Sequence, residues 1–71
     1  MAMNEKLGNR LKERRSELGL TQGELAEICL VSRKTINTVE NCIFVPSTLL
    51  ALKLARVLET SVEELFWTEA E

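Results

Sequence analysis

The sequence predicts an all-α domain of five short helices, on three observations. Its 71 residues are 45% apolar and 28% charged with one Pro and three Gly, too few turn formers for a β-sandwich and too much apolar side chain for a disordered chain. Apolar residues recur three and four apart rather than two apart. Thr21, Ser32, Ser47 and Ser61 each stand just ahead of such a run, where a hydroxyl can accept from an unpaired amide in a first helical turn. A chain of this length makes one domain, 1–71, with a compact core.

The first helix is expected over about 4–18, where Leu7, Leu11 and Leu18 fall on one stripe and Gly19 stops it. Thr21 with Glu24 forms a capping box, so a second helix runs over about 22–29, its apolar face made by Leu25, Ala26, Ile28 and Cys29. Ser32 starts a third over about 33–40, with Ile36 and Val39 inward. The run "NCIFVPS" lacks helical period and contains Pro46, which makes it a loop. Ser47 starts a fourth helix over about 48–58, almost wholly apolar, and Ser61 with Glu64 starts a fifth over about 62–67.

Several functions are excluded early. No apolar run approaches the roughly 20 residues that span a bilayer, and "MAMNEKLGNR" lacks the apolar stretch of a signal peptide, so a cytoplasmic protein is expected. With no His, no glycine-rich phosphate loop and no nucleophile beside a base, the sequence offers no catalytic residues, metal site or cofactor, and no small-molecule effector is evident. Cys29 and Cys42 read as reduced thiols, Cys29 as a small hydrophobe. The net charge of -2 is unevenly placed: residues 1–34 carry seven Lys or Arg against five Glu, and residues 35–71 carry two against six. A basic face is compatible with that distribution, as are ordinary solvated helix faces.

Two very short helices meeting at Leu30 and Val31 fit a helix-turn-helix, with the small Ala26 permitting a close, steep crossing; the same apolar residues also fit a plain hairpin in a bundle. The outer residues separate these readings. Around Ile36 and Val39 stand Arg33, Lys34, Thr35, Asn37 and Thr38, and Thr and Asn are weak helix formers but good hydrogen-bonders. Arg or Lys suits the acceptors of guanine, Asn can pair with adenine through two hydrogen bonds, and Thr offers a methyl to thymine, all in a major groove that admits one helix. Backbone amides at the helix starts near Gln22 and Arg33 suit phosphate oxygens.

Through "LTQGELAE", "VSRKTINTVEN", "PSTLLALKLARVL" and "SVEELFW", the chain resembles the phage-repressor and Cro class of helix-turn-helix regulators, often called Xre-like, in particular its short stand-alone members. The resemblance implies a lambda-repressor-like fold that places the helix after Ser32 in the groove of double-stranded DNA. It implies a DNA-facing set of Gln22, Ser32, Arg33, Lys34, Thr35, Asn37, Thr38 and Asn41, with Gln22 on the phosphate backbone. It further implies a structural ion pair between Arg15 and Glu40. Two positions depart from the family pattern: Leu30 stands where the turn commonly has Gly, and "ENC" replaces "ENG" at Cys42, although both places often need positive φ.

The last two helices hold more apolar residues than one small core absorbs, which points to a homodimer through Leu49, Val57, Leu65, Phe66 and Trp67, with Phe66 and Trp67 as core plugs the alternative. A homodimer fits a pseudo-palindromic operator with half-sites about 34 Å apart, as a small transcriptional repressor would use. The rival reading is a protein-interaction module, an antitoxin-like or adaptor bundle with little DNA affinity. The apolar Ile43, Phe44 and Val45 either cover the core or face a partner.

Overall fold

The computed structural model describes residues 4–70. It contains five helices and a two-stranded antiparallel sheet, in the order β1 (Glu5–Asn9), α1 (Leu11–Glu17), α2 (Gln22–Cys29), α3 (Arg33–Glu40), α4 (Thr48–Val57), α5 (Val62–Leu65) and β2 (Phe66–Ala70). The fold is therefore predominantly helical, and the all-α expectation is corrected at both ends.

The first correction concerns residues 5–9, expected in a helix and found in a strand. Leu7 satisfies the helical spacing to Leu11, but it also faces the core from β1, where it pairs with Thr68. Gly8 and Asn9 set the break. A Cβ at Gly8 would lie 2.6 Å from Nε1 of Trp67, its cross-strand partner, so only glycine lets the indole lie over the strand. Asn9 stops the strand by accepting from the Leu11 amide at 3.0 Å, which caps α1 from outside. The second correction concerns the fifth helix, which ends at Leu65. Phe66 turns extended (φ −125°, ψ 149°) and leads the strand-favouring run Phe66, Trp67, Thr68 back along β1. Arg10 stacks over the Trp67 ring at 5.2 Å and closes the outer side of this ribbon.

The four Ser and Thr caps are in place, each hydroxyl accepting from the third backbone amide of its helix. At α2 the box is complete: Glu24 accepts from the Thr21 amide at 2.9 Å. The Thr21 amide, and after it the Thr21 hydroxyl, hold the Glu24 carboxyl below its ordinary value. Being depressed, it stabilises α2 above the usual glutamate range, and the contribution is lost as pH falls through the lowered value.

One inward stripe from each helix meets in a single core, in which Leu11, Leu25, Ile36, Leu54, Leu58 and Leu65 are completely enclosed. Ala26 is buried in the core from α2. Burial pushes the Cys29 thiol up, with Lys53 opposing weakly, so Cys29 stays a protonated, apolar filler.

Helix ends follow one pattern. After α1, α2, α3 and α4 the chain takes one left-handed residue, and the next amide reaches back five residues: Leu20 to Arg15, Val31 to Ala26, Ile43 to Thr38 and Thr60 to Ala55. Only the first of these residues is glycine, Gly19 (φ 72°); the others are Leu30 (φ 59°), Cys42 (φ 60°) and Glu59 (φ 56°). Leu30 is 84% exposed, so its side chain gains no packing that would offset the backbone strain. Leu30→Gly should raise stability by about 1 kcal/mol or less, the relief of strain being partly offset by the looser unfolded chain. A rise in thermal midpoint of a few degrees checks this, and a fall would show that the turn carries no strain.

Candidate nucleic-acid interface

The geometry of α3 follows from its two buried residues. With Ile36 and Val39 fixed in the core, Arg33, Lys34 and Asn37 point to solvent, Thr35 and Thr38 lie half-buried at the flanks, and Asn41 is exposed at the C-terminal end. Arg33, Lys34 and Asn37 join Gln22 from α2 around one shallow recess. A second recess next to it is lined by the start of α2, including Thr21, Gln22 and Gly23, together with Arg15 and Arg33. The capping box takes the third amide of α2, leaving those of Gln22 and Gly23, two residues that line this recess, without a partner inside the helix, and the helix dipole there favours an anion.

Charge is arranged to keep this face positive. Among the described residues the ion pairs are Arg14 with Glu17 and Arg15 with Glu40; Arg33 and Lys34 belong to neither. Arg14 also donates to the carbonyls of Leu58 at 2.8 Å and Glu59 at 3.3 Å, so it fastens α1 to the end of α4. The acidic excess of the second half lies elsewhere along the chain, apart from Glu40, whose charge Arg15 neutralises.

The structure brings Arg15 and Glu40 together in a closed network. Glu40 accepts from Arg15 Nε at 2.7 Å, Arg15 Nη2 at 3.3 Å and Gln22 Nε2 at 2.9 Å, while Arg15 Nη1 donates to the Leu20 carbonyl at 2.8 Å. The two side chains are only 12% and 3% exposed. This network ties α1, the start of α2 and the end of α3 into one unit, so the outer face of α3 is presented on a fixed support. Asn9 adds a second tie by donating to the Val39 carbonyl at 2.9 Å. Sequence reasoning missed Asn9 and Arg14 because their partners stand 30 to 45 positions away and leave no local pattern.

The remaining site residues separate by what their polar atoms already do. The Ser32 hydroxyl accepts from the Thr35 amide at 3.1 Å and meets the Thr35 hydroxyl at 2.9 Å, so both serve the helix start. The Thr38 hydroxyl donates to the helix's own carbonyls at Lys34 and Thr35, both at 3.0 Å. Gln22 is half-buried with its amide nitrogen on Glu40. Ser32, Arg33, Lys34, Asn37 and Asn41 are the exposed members of the set, and of these Ser32 has its hydroxyl engaged at the helix start.

The surface of the last helices also needs correction. Leu65 and Phe66 are buried in the chain's own core, which removes them as surface contacts for the expected second copy. Val57 is half-buried, and Trp67 is half-buried over Gly8, donating to Glu69. Leu49 is exposed, and with it Ile43, Phe44, Val45 and Leu52. Among the described residues, no three His, Cys, Asp or Glu side chains gather to hold a metal, and no helix is long and apolar enough to cross a membrane.

Two short helices joined by a tight left-handed turn at Leu30, with a free polar face on the second, make the helix-turn-helix arrangement. Residues 11–65 match the helix-turn-helix family model. An uncharacterised HTH-type transcriptional regulator, YgzD of Bacillus subtilis strain 168, is 40% identical over 63 residues, which span 89% of this chain and 96% of that protein. Among solved structures, the restriction-modification controller protein C.AhdI from Aeromonas hydrophila is 34% identical with a TM-score of 0.73, covering 78% of this chain and 83% of that one. A chain of the SinR–SinI protein complex is 33% identical with a TM-score of 0.70, covering 75% of this chain and 52% of that one. The chain belongs to the Xre/Cro-type helix-turn-helix family of DNA-binding transcriptional regulators.

Proposed function

We propose that this chain is a small homodimeric regulator that binds a pseudo-palindromic operator in double-stranded DNA, with α3 in the major groove, and represses by occupying it. The observation that supports this most is the outer face of α3. Two cations without acidic partners, Arg33 and Lys34, stand beside Asn37 on a helix whose end is pinned by Arg15 and Glu40. Arg33, Lys34 and Asn37 meet base edges, Ser32, Thr35 and Thr38 shape the helix and approach the duplex along its flanks, and Gln22 with the α2 amides meets phosphate. Dimer contact falls to Leu49 with Leu52 and the loop at Ile43–Val45, with Val57 and Trp67 contributing what they expose. A two-fold dimer presents two α3 helices to half-sites about one turn of duplex apart.

Those exposed apolar residues also favour a second reading, in which the partner is a different protein and DNA affinity is slight; one structural neighbour is a chain of a protein–protein complex. Salt titration of binding to duplex DNA separates the two. The DNA reading expects log affinity to fall linearly and steeply with log salt, by about one unit of slope per phosphate neutralised. A flat, weak response would favour the protein partner.

A further inference from the structure

We propose that Asn41 is a positioning residue that locks the amide of Asn37 with its NH2 group outward, so that α3 reads an acceptor-rich base edge there, guanine before adenine. The proposal rests on the reading of α3 as the DNA interface and specifies what that interface selects. Asn41 Nδ2 donates to the Asn37 backbone carbonyl at 2.9 Å, and a backbone carbonyl only accepts, which fixes the nitrogen end of the Asn41 amide. The same nitrogen lies 3.3 Å from the Asn37 side chain, so the facing atom there must be Oδ1, since a nitrogen would set donor against donor. Within this contact, turning either amide alone loses a hydrogen bond: rotating Asn37 puts two NH2 groups face to face, and rotating Asn41 puts its oxygen against the Asn37 carbonyl.

The consequence is chemical. Two hydrogen bonds to adenine require the Asn oxygen to accept from N6 while its nitrogen donates to N7. In this pair the Asn37 oxygen is turned toward Asn41, which takes one of its two lone pairs, and the NH2 end is left to donate to acceptors. Guanine offers two, O6 and N7, whereas adenine sets its own NH2 against that of Asn37. Asn41 is exposed at the helix end and holds no core residue, so it can be changed without disturbing the support.

Selection of bound sequences from randomised duplexes, run with the full chain and with Asn37→Ala, Asn41→Ala and Asn41→Asp, tests this. Asn37→Ala relaxes one base position and so identifies it. The parent chain is expected to prefer guanine over adenine there by roughly ten-fold. Asn41→Ala frees the Asn37 oxygen and shifts the preference toward adenine. Asn41→Asp, which only accepts, draws the Asn37 NH2 inward and favours bases with an exposed amino group, adenine or cytosine. Adenine preferred by the parent chain, an unchanged preference in both Asn41 variants, or no position relaxed by Asn37→Ala would overturn the proposal. If the parent chain enriches no duplex at all, the DNA reading itself falls and takes the proposal with it, an outcome distinct from enrichment of the wrong base.

Discussion

Glu40→Ala should lower the stability of the chain by about 3–5 kcal/mol, the range for stripping one partner from a buried ion pair. The carboxylate is 3% exposed and receives three hydrogen bonds, from Arg15 Nε, Arg15 Nη2 and Gln22 Nε2. Alanine leaves the Arg15 guanidinium 12% exposed with one carbonyl acceptor, Leu20, and no counter-charge. For a domain of this size the whole stability is on the order of 4–10 kcal/mol, so much of it goes with one side chain. Urea unfolding followed by circular dichroism measures the loss. A change under about 1 kcal/mol would mean the pair behaves like an exposed one, worth little, and the end of α3 would then need another support.

The double variant Arg33→Ala with Lys34→Ala should keep its fold and lose specific duplex binding by at least about thirty-fold, since each base or phosphate contact carries roughly 1–3 kcal/mol. Both side chains are exposed and lie outside the ion pairs, so their loss leaves no buried charge behind. The slope of log affinity against log salt should also flatten, by about one for each lost phosphate contact. Electrophoretic or fluorescence titration at two salt concentrations reads both quantities. Affinity within a few-fold of the parent at both salts would remove these two residues from the interface.

How much of this was legible in the sequence depended on how local each cause is. The helix starts are local: a hydroxyl at Thr21, Ser32, Ser47 or Ser61 caps an amide three residues on, so four of them could be read directly. The left-handed turns at Leu30 and Cys42 were legible only because the family resemblance puts glycine there; Glu59, with the same backbone, carried no such cue. The sheet was not legible. Leu7 satisfies helical spacing as well as strand placement, and what decides between them is a partner strand near the other end of the chain, Gly8 opposite Trp67 and Asn9 opposite Phe66. The same long-range pairing draws Phe66 into the core, which is why residues read as surplus apolar surface proved to be interior.

At the site, the outward set on α3 followed from the three-residue spacing of Ile36 and Val39, but the state of each polar group did not. That the Thr38 hydroxyl is spent on Lys34 and Thr35, and that Asn41 holds the Asn37 oxygen, are facts of geometry with no trace in residue type. They turn a list of hydrogen-bonding residues into a face with a definite polarity.

The most direct test of the account is titration of isotopically labelled protein with a duplex selected from random sequence, followed by amide chemical shifts. The account predicts that perturbations concentrate at Gln22, Gly23 and along Arg33–Asn41, with Ile43–Leu52 changing little beyond what dimer contact explains. Perturbations confined to the apolar loop and α4, or no response to any duplex, would contradict it.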